Sequence, residues 1–142
     1  MQFPPALKQI QTESEAFGFS MISEPLTDSL LRTLAASKPG GMFLELGTGT
    51  TGASTSWLLD GMERDSQLIS IENDRTVASI AKKYLESDKQ VKFQVVDAAS
   101  LLNRVTNQKF DLIFADAWIG KYSYLKHTLD LLKPGGLYVT ST

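Results

Sequence analysis

The chain of 142 residues is long enough for one domain with a hydrophobic core and too short for two. Hydrophobic residues make up 42% and charged residues 21% of the sequence, which excludes disordered and fibrous proteins. The net charge of −2 and the absence of cysteine argue against a nucleic-acid surface, disulfide bonds and thiolate metal sites.

Residues 1–25 are predicted to form a helical cap that precedes the main domain at 26–142. Pro4, Pro5 and Gly18 interrupt this segment. It lacks the basic start and apolar run of a secretory signal, and no later stretch approaches the ~20 apolar residues of a membrane helix. We therefore expect a cytoplasmic protein that binds neither membranes nor nucleic acid.

From residue 26 onward, short apolar runs alternate with longer helical patterns. The runs typical of buried strands lie at 42–46, 68–72, 91–96, 110–116 and 136–141. A leucine-rich helix is predicted before the first strand, with further helices at 54–59, 77–85, 99–105 and 122–132. This alternation predicts βαβ units and a parallel sheet covered on both faces. The K-P-G-G segment at 133–136 is expected to end the last helix and lead into the last strand.

Acidic residues stand at or near the carboxyl ends of the first four predicted strands. They are Glu45, Glu72, Asp97 and Asp116. In open parallel sheets the ligand binds outside these ends, so we expect the four acids to form an acidic rim around it. A G-x-G-x-x-G sequence at 47–52 permits a tight turn, and the helix after it offers free N–H groups. Glu72 lies twenty residues after Gly52, a spacing that fits an acid on ribose hydroxyls.

The acidic rim distinguishes between two nucleoside cofactors. A nicotinamide dinucleotide would bring an anionic pyrophosphate to the glycine turn beside Glu45, which is costly without a cation. S-adenosylmethionine carries a sulfonium and an ammonium, which suit an acidic rim, and its carboxylate suits the helix N-terminus. The rim therefore favours the methyl donor. The alternatives are an NAD-dependent oxidoreductase and a nucleoside-binding module without catalysis.

Five segments together resemble the motifs of class I S-adenosylmethionine-dependent methyltransferases. They lie at 43–49, 69–72, 96–98, 110–116 and 132–136. Within this class, the chain is similar to the small-molecule O-methyltransferases related to catechol O-methyltransferase. The similarity lies in the segment that contains Asp116, Trp118, Lys121 and Tyr122. The resemblance implies an α/β fold: a Rossmann-like, doubly wound parallel sheet of order 3-2-1-4-5, here without the C-terminal strands 6 and 7 of the family.

The resemblance also assigns roles to individual residues. Asp116 and Lys121 are the catalytic candidates, the lysine as a general base if its pKa is depressed. The resemblance implies as cofactor contacts Glu45, Gly47, Ser54, Glu72, Asp97 and Trp118, and it implies Asp116 as a candidate metal ligand. The predicted cofactor site is completed by Thr48, Gly49, Ala98 and Asp116. Several of these residue types also have a plainer interpretation. Lys121 could simply be solvated, and Trp118 could belong to the core instead of stacking on adenine. His127 is predicted to face solvent, on the opposite side of its helix from Leu125 and Leu129.

The sequence departs from the family pattern near the site. Gly47 and Gly52 are one residue further apart than usual, and Ile119 stands where the family has its active-site lysine. Metal-dependent members have an Asp-Asn pair after strand five that this sequence does not contain. Asp116 alone supplies too few oxygen ligands, so we expect no tightly bound divalent metal. The fifth strand is expected at an open sheet edge, so that either the sequence is a truncated form or a second copy covers this strand, in a homodimer joined across the edge or through the N-terminal segment.

Overall fold

Five parallel strands form the centre of the fold in a computed structural model, which describes residues 2–19, 25–47, 49–97, 100, 108–116 and 124–140. The strands are β1 (Met42–Leu46), β2 (Gln67–Glu72), β3 (Val91–Val95), β4 (Phe110–Ala115) and β5 (Leu132–Thr140). Their order is β3-β2-β1-β4-β5, and every neighbouring pair is parallel. The predicted α/β fold and strand order 3-2-1-4-5 are therefore confirmed.

Helices connect these strands. The described helices are α1 (Leu7–Ala16), α2 (Pro25–Ala36), α3 (Gly49–Gly61), α4 (Arg75–Leu85) and α5 (Leu125–Leu129). The helix predicted at 99–105 lies almost wholly outside the described residues. In the part of the chain that the structure describes, no helix has the length and apolar character needed to cross a bilayer.

Side chains on the two faces of the sheet enter different hydrophobic clusters. Phe43 of β1 packs in one cluster with Leu58 of α3 and Ile80 of α4. The next residue, Leu44, packs in a second cluster with Ile113 of β4. Successive strand residues point to opposite faces, so both faces of β1 are buried. Both faces of the central strand are therefore isolated from water, and its carboxyl end is where open parallel sheets bind ligands.

Two glycines allow α3 to approach its neighbouring helices closely. Gly52 has a φ of +106°, and a Cβ there would lie 2.8 Å from the Ala81 Cβ of α4. At Gly61, a Cβ would lie 2.0 Å from the Arg32 carbonyl oxygen of α2. Only glycine fits either contact without a shift of backbone. The close packing fixes α3 between α2 and α4.

The N-terminal segment packs against α3 and α4. Leu7 of α1 is buried in a cluster with Trp57 of α3. Glu13 accepts hydrogen bonds from Lys83 Nζ at 2.6 Å and Tyr84 Oη at 2.9 Å. These two hydrogen bonds hold the pKa of Glu13 below its ordinary value, and the one from Lys83 has the larger effect. That residues 1–25 form a separate cap stays a prediction.

The K-P-G-G segment lies inside β5, so the predicted start of this strand at 136 is wrong. β5 begins at Leu132, which pairs with Phe110, whereas Leu137 pairs with Leu112. Six positions of β5, 132–137, therefore oppose three of β4, 110–112, and the segment forms a bulge. Pro134 lacks an N–H group, and an irregular stretch of strand is where such a residue is tolerated.

The exposure of α5 also differs from its leucine pattern. Leu125 and Leu129 are 43% and 42% exposed, whereas Thr128 is fully buried. The Thr128 hydroxyl donates to the carbonyl oxygen of Tyr124 at 2.8 Å, which removes the cost of burying it. His127 is half-buried rather than solvent-facing. The leucines therefore do not mark the buried face of this helix.

Candidate functional site

Backbone hydrogen bonds hold the carboxyl ends of β1, β2 and β4 together. The Gly47 N–H donates to the Ile71 carbonyl at 2.7 Å, and the Asp116 N–H donates to the Leu46 carbonyl at 2.9 Å. Gly47 has a φ of +88°, which glycine adopts at no steric cost. The turn after β1 is thus fixed to β2, beside the end of β4. This is the edge at which open parallel sheets bind ligands.

Glu45 is fully buried beneath α3, where three hydroxyl groups surround it. Thr55 Oγ1 and Ser70 Oγ donate to Oε1 at 2.5 and 2.8 Å, and Ser54 Oγ donates to Oε2 at 2.9 Å. Burial raises the pKa of Glu45 to about 7, and the negative charge of Asp116 adds to this rise. The hydrogen bonds from the three hydroxyl groups lower the pKa and offset part of the effect. We call Glu45, Ser54, Thr55 and Ser70 the buried carboxyl cluster.

The acidic rim is therefore smaller than predicted, because Glu45 is not part of its exposed surface. Glu45 and Phe43 share one face of β1, and α3 covers that face. Ser54, predicted to meet the cofactor, is 4% exposed and directs its hydroxyl to Glu45. Direct contact of either side chain with a cofactor stays a prediction.

The other three acids lie at or just beyond their strand ends with accessible side chains. Glu72 is half-buried at the last position of β2, where its Oε2 accepts from the Asp74 N–H at 3.0 Å. Asp97 is exposed and accepts from Ser100 Oγ at 3.3 Å. Asp116 is half-buried and follows β4 directly. The structure therefore places carboxylates at or just beyond the ends of β3 and β2 on one side of β1 and of β4 on the other.

The glycine turn leads into α3 through an irregular first turn. Gly49 is the first residue of α3, and the positive φ of Gly52 falls only three residues later. The helix therefore begins five residues before the predicted start at 54.

Four predicted site residues lie outside the described residues. They are Thr48, Ala98, Trp118 and Lys121. Their assigned roles stay predictions. Among the residues that the structure does describe, no three histidine or acidic side chains come close enough to hold a metal ion.

Thr55 and Ser70 were not predicted as partners of Glu45. Ser70 is directly opposite Glu45 in the register of β1 and β2, so strand pairing alone carries this signal. Thr55 lies in the polar run 54–56 within an otherwise buried helix. A buried acid beside several buried hydroxyls indicates a hydrogen-bonded cluster, once the strands have been paired.

Comparison with known proteins identifies one family. The family described as O-methyltransferase matches residues 8–141. A catechol O-methyltransferase of Niastella koreensis is 31% identical over 122 residues, which cover 81% of this chain and 55% of that protein. The chain thus spans about half the length of the curated relatives it matches.

Two solved structures share the fold. The O-methyltransferase of Bacillus cereus, in complex with SAH, has a TM-score of 0.86 at 23% identity over 99% of this chain and 67% of its own. TomG of Streptomyces achromogenes, involved in tomaymycin synthesis and in complex with SAM, has a TM-score of 0.84 at 26% identity. That match covers 98% of this chain and 66% of TomG.

Proposed function

The chain belongs to the O-methyltransferase family, and we propose on that basis that it binds S-adenosylmethionine for methyl transfer to an oxygen of a small molecule. The observation that carries the proposal is the glycine turn at Gly47, fixed between the ends of β2 and β4 with Glu72 beside it. This arrangement combines a close backbone approach with an acid at the end of the second strand.

The donor set of the described residues fits this cofactor. Glu72 offers carboxylate oxygens to the ribose hydroxyls, and Gly47 has no Cβ to obstruct a ligand. The family resemblance assigns Asp97 to the adenine amino group. The negative charge of Asp116 favours a cationic donor at the end of β4. When bound, S-adenosylmethionine supplies an activated methyl group.

The chain's own contribution to catalysis is mainly positioning. A displacement at a methyl group needs donor and acceptor in line, and few side chains beyond those that hold them. We propose Asp116 at the acceptor side of the site and Lys121 as the base that takes the acceptor's hydroxyl proton. Trp118 is proposed to stack on the adenine ring. No tightly bound divalent metal is expected from Asp116 alone.

Calorimetry and a transfer assay test the proposed function. S-adenosylhomocysteine and S-adenosylmethionine should bind, and NAD should not, because the acids at the ends of β2, β3 and β4 disfavour an anionic pyrophosphate. At a hundred times its dissociation constant, S-adenosylhomocysteine should add ~2.7 kcal/mol to the free energy of unfolding. Methyl transfer should then be measured on a panel of phenols and catechols. Binding of NAD, without binding of either methionine-derived ligand, would reverse the choice of cofactor.

We further propose that a second copy of the chain covers the outer edge of β5. Among the described strands, β5 pairs with β4 alone, and Leu137, Tyr138 and Val139 are only half-buried. An apolar strand edge is a template for pairing with another chain. Light scattering should show a dimer, and a monomer at high concentration would refute the proposal. The cytoplasmic location stays a prediction from the sequence.

A further inference from the structure

The turn between β2 and α4 joins the proposed ribose acid to the start of a helix. Glu72 is the last residue of β2, and α4 begins at Arg75. Between them, the Asp74 N–H donates to Glu72 Oε2 at 3.0 Å. A hydrogen bond is strong only when donor and acceptor are well aligned, so the direction of this N–H determines where the carboxyl group of Glu72 lies. The position of the acid therefore depends on the backbone at residue 74.

The backbone at residue 74 is held by the helix that follows it. Asp74 is the N-cap of α4, with a φ of −87° and a ψ of 115°. Its Oδ1 accepts from the N–H groups of Thr76 at 2.9 Å and Val77 at 3.1 Å. Its carbonyl accepts from the Ala78 N–H at 2.9 Å. The side chain of Asp74 thus fixes the dihedral angles of its own residue, because it supplies the acceptor that the first N–H groups of a helix lack.

Hydrophobic packing holds α4 itself against the sheet. One face of the helix is buried, and its buried residues are Ala78, Ile80, Ala81 and Leu85. Ile80 belongs to the same hydrophobic cluster as Phe43 of the central strand. The cap therefore connects Glu72 to a helix whose position is fixed by the core.

We propose that Asp74 is a positioning residue that orients Glu72 toward the ribose of the cofactor. This inference rests on the proposed function, because it concerns the acid of the same site. Without the cap, the turn and the Glu72 side chain would sample several conformations, and binding would have to select one of them. With the cap, the carboxyl group is oriented before the cofactor binds. Asp74 therefore acts on the affinity through its backbone N–H and Glu72.

A matched pair of variants at residue 74 separates the cap from the charge. Asp74→Ala removes the side chain that caps α4, whereas Asp74→Asn keeps a capping oxygen and loses the negative charge. The Kd of S-adenosylhomocysteine, measured by calorimetry, should rise about fivefold in Asp74→Ala, the equivalent of one hydrogen bond. In Asp74→Asn it should stay within about twofold of the wild-type value. Equal rises in the two variants would assign the effect to the charge and overturn the inference.

A double-mutant cycle with Glu72→Ala separates positioning from a general loss of helix stability. If Asp74 acts through Glu72, Asp74→Ala should change the Kd by less than about twofold once residue 72 is alanine. Ser79→Gly is the structural control, because Ser79 is exposed in the interior of α4 and glycine weakens the helix without removing the cap. This variant should also keep the Kd within about twofold of the wild-type value. A rise of about fivefold in Ser79→Gly, or from Asp74→Ala in the absence of Glu72, would contradict the inference.

Hydrogen exchange of the unliganded protein distinguishes failure of the inference from failure of the proposed function. The protection of the amide at residue 74, relative to its exchange rate in an unfolded chain, should fall in both Glu72→Ala and Asp74→Ala and stay unchanged in Asp74→Asn. If the wild type binds neither S-adenosylhomocysteine nor S-adenosylmethionine while the protection behaves as stated, the proposed function fails and the link between Asp74 and Glu72 stands. Unchanged protection in Asp74→Ala would refute the inference, whether or not the ligands bind.

Discussion

The helices α3 and α5 both depart from the usual rule that polar residues are exposed and apolar residues are buried. In α3, the polar residues Ser54 and Thr55 are buried and bound to a carboxyl group. In α5, Leu125 and Leu129 are exposed while Thr128 is buried. Buried polar groups in both helices are satisfied by hydrogen bonds, as burial requires. The difference is in what the hydroxyls bind: those of α3 donate to a buried carboxyl group on the central strand, whereas the Thr128 hydroxyl donates to the Tyr124 carbonyl of its own helix and also forms a hydrogen bond with Tyr138 of β5.

The contrast teaches where the fold holds its geometry tightly. Hydrogen bonds between elements fix one element against another, and the proposed cofactor site lies above such a connection. The Thr128 hydroxyl connects α5 to β5, which lies at the edge of the described sheet and not at its centre. We therefore expect substitutions near α3 to affect both stability and ligand binding, and those in α5 to affect neither strongly.

The largest expected effect is that of Glu45→Leu on stability. Leucine fills a similar volume but leaves three buried hydroxyls without their acceptor, so the free energy of unfolding should fall by about 3–5 kcal/mol. Urea denaturation measures the change, with Glu45→Gln as the control that keeps an acceptor. Equal stability of the two variants would mean that the three hydroxyl groups form other hydrogen bonds. The claim that they depend on Glu45 would then be wrong.

The second effect is a dependence of stability on pH that originates at Glu45. Its pKa is raised from 4.5 to about 7 in the folded chain, so the folded state holds this proton more tightly. The associated stability is fully present below about pH 4.5 and is lost as pH rises through about 7, by up to ~3 kcal/mol. Thermal unfolding should show a flatter profile between these values in Glu45→Gln. Identical profiles would contradict the raised pKa.

The third effect concerns the open edge of the site. Glu72→Ala should weaken S-adenosylhomocysteine binding by about 1.5–3 kcal/mol, because a carboxylate that accepts from hydroxyls is a charged partner. Calorimetry measures the affinity. Glu86→Ala is the matched control, since Glu86 is an exposed acid at the far end of α4. An unchanged affinity in Glu72→Ala would show that Glu72 is a solvated residue at the end of its strand and does not bind the cofactor.

The smallest effects are expected in α5. Leu129→Ser changes an exposed residue and should alter the free energy of unfolding by less than about 0.5 kcal/mol. Thr128→Val, its buried neighbour, should cost about 1 kcal/mol for the lost hydrogen bond. Urea denaturation of both variants measures this order. A larger loss in Leu129→Ser than in Thr128→Val would show that the leucine is buried in solution.

Much of the fold follows from sequence because local patterns determine it. The alternation of apolar runs and helical patterns was sufficient to predict all five strands, and the spacing of Glu72 from Gly52 placed an acid at the end of β2. The burial of Glu45 was not predicted, since it depends on α3 covering one face of β1. The bulge at Pro134 was missed for a related reason. Proline and glycine indicate an irregular backbone, but they do not distinguish a loop from a bulge within a strand.

The most direct test of the account is a crystal structure of the chain with S-adenosylhomocysteine. We expect the ligand outside the carboxyl ends of β1, β2 and β4, with its ribose hydroxyls hydrogen-bonded to Glu72. The Glu45 carboxyl group should keep its hydrogen bonds from Thr55 and Ser70. A ligand bound elsewhere, or ribose hydroxyls that form no hydrogen bond with Glu72, would contradict the account.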